Sequence, residues 1–136
     1  MRGRFAPGLP GCESSDWVAG MNWHQVIEER SYEMDQVVAE ELRRDPAKLR
    51  LVTAWIEARL ADAEYSLHSK DALREWLDLI HEHGLPGVLE KLADRSEDAF
   101  RMRHSSPFAV IMPQEERRRI LHRYEALRPR AHPAGV

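Results

Sequence analysis

Between residues 22 and 128 the apolar positions recur at steps of three, four and seven, the spacing that places them on one face of a helix. Trp23, Val26, Ile27, Met34, Val37, Val38 and Leu42 make a first stripe. It predicts a helix over 22–44, with the Asn22 side chain accepting a free backbone N–H at its start. Asp45-Pro46 ends that helix and begins a second, because proline fits a first helical position where an N–H has no partner. Leu49, Val52, Trp55, Ile56 and Leu60 form the second stripe. Ser69 is the expected cap of a third helix carrying Leu73, Trp76, Leu77 and Ile80, closed at Gly84 by a left-handed residue. Pro86 predicts a short fourth helix through Val88, Leu89 and Leu92, and Ser96 caps a fifth segment to about His104. Pro113 opens a last helix to about Leu127, with Ile120, Leu121, Tyr124 and Leu127 facing inward. No stretch alternates with period two. The pattern therefore predicts an all-α domain, a small bundle of five or six helices over residues 21–128. Trp23, Trp55 and Trp76 lie on apolar stripes and read as core.

The ends read differently. Residues 1–20 are rich in Gly, Pro, Arg and Ser and have no hydrophobic period, so they are expected to be a disordered arm or an upstream extension. Residues 129–136 read as a flexible tail. Neither carries the apolar core of a secretory signal, and no run in the 136 residues is long enough to span a bilayer. A cytoplasmic location without membrane contact is the expectation.

Composition narrows the chemistry. A single cysteine, Cys12, allows neither a disulfide framework nor a cysteine-based zinc cluster. No glycine pattern suited to phosphate binding occurs. His81-Glu82-His83 attracts attention as a metal motif, but residues two apart lie roughly 200° apart around a helix and cannot both ligate from one face. Partly protonated histidines also suit the last turn of a helix simply through its dipole. Ser105 and Ser106 adjoin His104, yet adjacency in sequence is not a spatial triad. No catalytic residue, metal or cofactor is assigned, and a small metal-dependent hydrolase is the least favoured reading.

Charge is distributed unevenly beneath a net of −3. Residues 22–100 are acidic. Residues 101–136 hold eight arginines (101, 103, 117, 118, 119, 123, 128 and 130) against three glutamates. Such a basic end either meets an anionic partner or packs on the acidic body. In the last helix Arg118, His122 and Arg123 form an edge that could contact nucleic-acid phosphates, which makes a DNA-binding regulator the second reading. The helix dipole and pairing between Glu115 and Arg119 account for much of the same pattern.

The most distinctive stretch is Arg101-Met-Arg-His-Ser-Ser-Pro-Phe108, followed by Met112-Pro-Gln-Glu-Glu-Arg117. Pro107 forces an extended turn at Ser106, and Phe108 can plug back onto the bundle. The stretch resembles a pattern in small bacterial helical proteins, in which an arginine-rich turn and Ser-Pro-Phe precede a helix opened by Pro and Glu-Arg. A helix like that from Trp23, the Asp45-Pro46 step and Leu73-x-x-Trp76 extend the resemblance to about residues 21–127. It implies an antitoxin-like or accessory regulatory role: a non-enzymatic module whose partner is a second protein, such as a toxin. Arg101, Arg103, Ser106, Pro107 and Phe108 are then the expected partner-binding residues. The chain departs from the pattern at Val110-Ile111-Met112, where a glycine is expected nearby. The same corner could equally serve only to tie the last helix to the body.

Overall fold

The computed structural model describes residues 22–128. Among them lie five α-helices and no strand. They are α1 (Trp23–Arg44), α2 (Leu49–Leu60), α3 (Leu67–Ala93), α4 (Glu97–Arg103) and α5 (Gln114–Glu125). Short 3-10 turns, Pro46–Lys48 and Phe108–Ile111, precede α2 and α5. The arm, the tail, Cys12 and Trp17 lie outside the described residues.

Asn22 starts α1 with a reciprocal cap: its Oδ1 accepts from the Gln25 N–H at 2.8 Å, while Gln25 Oε1 accepts from the Asn22 N–H at 3.0 Å. The Asp45 side chain makes no capping hydrogen bond, and Pro46 opens a 3-10 turn before α2. The cap of α3 is Ser66 rather than Ser69. Ser66 Oγ accepts from the Ser69 N–H at 3.1 Å, so Ser69 is the third residue of the helix. The apolar stripe gives no sign of this earlier start because Leu67, the first helical residue, faces solvent.

Gly84 has the expected positive φ of 63°, but its ψ of −156° belongs to a region reserved for glycine. The chain is non-helical and kinks there, so Gly84 closes the first arm of α3 as expected, and the helix expected from Pro86 is the second arm. Gly87 keeps that corner tight, since a Cβ there would come within 2.3 Å of His83 Cβ.

α3 packs on α1 and α2, and α5 lies along α1. Val38 and Leu42 of α1, Val52 and Ile56 of α2, Leu73, Trp76, Val88 and Leu92 of α3, Phe108, Ile120 and Tyr124 form one core. Trp76 is fully buried, whereas Trp23 and Trp55 are only half-buried. Each lies beneath an arginine, Arg128 over Trp23 at 5.0 Å and Arg59 over Trp55 at 4.4 Å, which shields one ring face without enclosing it.

Candidate interaction surface

The corner from Ser96 to Pro113 is built from the inside outward. Ser96 Oγ accepts from the Ala99 N–H and starts α4. Trp76 donates its indole N–H to the Met102 carbonyl at 3.0 Å, which pins the end of α4 to α3. Phe108 meets Trp76 edge to face, with ring centroids 5.0 Å apart. Ser106 Oγ accepts from the Phe108 N–H at 3.3 Å, tightening the turn that Pro107 enforces. Phe108 and Pro107 are buried, as are Ile111 and Met112, while Ala109 and Val110 between them face solvent.

The two arginines of the corner have different tasks. Arg103 is buried and pairs through Nε with Asp35 of α1. Its Nη2 donates to the carbonyls of Leu92 at 2.9 Å and Asp94 at 2.6 Å, covering the end of α3. The guanidinium lies 4.7 Å from the ring centroid of Phe100 and 5.2 Å from that of Tyr32. One residue thus joins α1, α3 and α4. Burial pushes the Asp35 carboxyl up to about 6, outweighing the pull of Arg103. Arg101 is exposed and forks onto Glu75 of α3 at 2.8 and 2.9 Å, with Asp98 beside it. The same bonds hold the Glu75 carboxyl below the usual carboxylate range.

Three arginines of the basic end pair with the acidic body. Besides Arg101 on Glu75 and Arg103 on Asp35, Arg123 reaches Glu33 of α1, and the Tyr124 hydroxyl donates to the same carboxylate at 2.8 Å. Burial, then the negative Glu33, raises the Tyr124 phenol well above its ordinary value. Arg118 and Arg119 are exposed but pair with Glu115 and Glu116 one turn earlier. His122 is exposed beside them, and Arg117 has no ion pair among the described residues. Arg118, His122 and Arg123 are all exposed, with Arg118 and Arg123 already engaged in ion pairs.

His81, Glu82 and His83 are all exposed, and among the described residues no group of three His, Cys, Asp or Glu could hold a metal ion. A groove of about 740 Å³ runs beside the break in α3, lined by Leu79, His83, Pro86, Gly87, Glu90 and Asp94.

Asp35 and Glu33 escaped the sequence reading, though one signal pointed to Asp35. It stands three, four and seven residues before Val38, Ala39 and Leu42, so it is an acid inside an apolar stripe. No helix among the described residues is long and apolar enough to cross a membrane. Comparison with protein-family models, with curated proteins and with solved structures finds no match for this chain.

Proposed function

We propose that the protein is a non-enzymatic interaction module, an antitoxin-type or regulatory partner of a second bacterial protein in the cytoplasm, and that it is read at the corner between α4 and α5. One observation carries this reading: an anchored turn shows apolar side chains to solvent. Phe108 and Ile111 fasten the turn to the core, Arg103 fastens α4, and Val110 remains 46% exposed between them. Such a fixed apolar point costs little ordering on association. Arg101 adds a forked donor whose carboxylate partners a competing protein can exchange. Arg103, Pro107 and Phe108 support the surface from beneath.

The test is capture of the tagged full chain from its own cells, with identification of what co-purifies. One protein should accompany the wild type, and Val110→Glu should lose it while keeping the same thermal midpoint. Recovery of nothing in comparable amount would defeat the proposal. Retention of a salt-sensitive DNA fragment, lost in Arg118→Gln with Arg123→Gln, would favour the nucleic-acid reading instead.

A further inference from the structure

α2 packs one face on the core, where Leu49, Trp55 and Leu60 lie partly buried, and leaves the opposite face open. Only Val52 and Ile56 are buried. Arg50, Leu51, Ala54, Glu57 and Ala58 are all exposed and recur at three, four and seven, so they share one outward face. Ala54 lies in the middle of it and Leu51, 53% exposed, along the edge opposite Arg50 and Glu57. Arg50 and Glu57 lie two turns apart along the edge of this face, and among the described residues neither has an ion-pair partner. They are flanked by cations and acids elsewhere that do pair: Lys48 with Glu41, Arg74 with Asp71.

We infer that this face pairs with the same face of a second copy of the chain, the two α2 helices running antiparallel about a two-fold axis near Ala54. The argument is charge complementarity. A two-fold contact must be self-complementary, each residue meeting a counterpart on the same patch. Reversing α2 about Ala54 brings Arg50 of one copy beside Glu57 of the other, twice over, within a rise of about 1.5 Å. Leu51 then falls against Ala58 of the other copy on the opposite edge, and Ala54 against Ala54. Small residues at the crossing let the two helices approach to the close end of the usual 8–10 Å range. A parallel pairing would instead set Arg50 against Leu51 and Glu57 against Ala58, leaving both charges unmatched. The turn that carries Val110 packs on α2, but the inference uses other residues and is tested by other variants.

Sedimentation of the full chain over a range of concentrations tests it. The wild type should show a monomer–dimer equilibrium. Arg50→Glu should weaken it at least about tenfold by setting like charges together, and Arg50→Glu with Glu57→Arg should restore it. Leu51→Gln should shift the chain toward monomer, and because the sites are exposed, circular dichroism should show every variant as helical as the wild type. A monomer at every concentration overturns the inference. A dimer unaffected by the charge reversal overturns it as well.

Discussion

α2 and α5 have the same length, twelve residues, and each buries two of them, yet they are opposite in chemistry. α2 offers Leu49, Leu51, Val52, Ala54, Trp55, Ile56, Ala58 and Leu60 and places only Val52 and Ile56 fully inside. Among the described residues no α2 side chain makes a hydrogen bond or ion pair to another element. α5 is mostly charged, buries Ile120 and Tyr124, and adds a polar tie to α1 through Glu33. The apolar helix is the more enclosed of the two, because Leu49, Trp55 and Leu60 also lie partly buried against the core. Two well-placed side chains dock either helix, and the remainder decides what its outer face can do. On α5 the exposed remainder is charged and largely self-paired; on α2 it is Leu51, Ala54 and Ala58 beside Arg50 and Glu57.

The largest effect should come from removing the main anchor of each helix. Tyr124→Ala should cost about 3–5 kcal/mol and Ile56→Ala about 2–5 kcal/mol in urea denaturation, since each leaves a cavity in the core. If Tyr124→Ala cost far less than Ile56→Ala, α5 would be a peripheral helix held by charge, and the symmetry between the two would fail.

A smaller effect should appear on α1 where Arg103 of α4 meets it. The Asp35 carboxyl titrates at about 6 in the folded chain against an ordinary 3.8. The folded state therefore binds the extra proton between these values, so this group makes the protein more stable as pH falls from about 6 toward 4. Glu41 and Glu75, whose values are lowered by Lys48 and Arg101, act in the opposite sense as pH falls through the ordinary carboxylate range. Asp35→Asn should remove the Asp35 contribution, and its stability should then fall more on acidification than that of the wild type. Identical profiles would mean that Asp35 stays ionised throughout and that the attraction of Arg103 outweighs burial.

The smallest effect isolates the polar tie of α5. Tyr124→Phe keeps the ring and removes the hydroxyl that donates to Glu33, which should cost about 1 kcal/mol. Thermal melts at low and high salt can then separate this loss from that of Arg123→Gln. The arginine pair is more than a third exposed and should fade with salt, while the half-buried hydroxyl bond should not.

Helical periodicity, the Asn22 and Ser96 caps, the break at Gly84 and the inward turn of Phe108 could all be read from sequence. Each depends on residues within a turn or two of one another, where helix geometry and glycine or proline backbone limits act. Which carboxylate each arginine would meet could not be read that way. Arg103 finds Asp35 across 68 positions and Arg123 finds Glu33 across 90, and only the packing of α4 and α5 on α1 selects them from many acids. The half-exposure of Trp55 and the exposed face of α2 were likewise settled by the fold. A stripe identifies the apolar side of a helix, but its depth depends on which neighbour arrives to cover it.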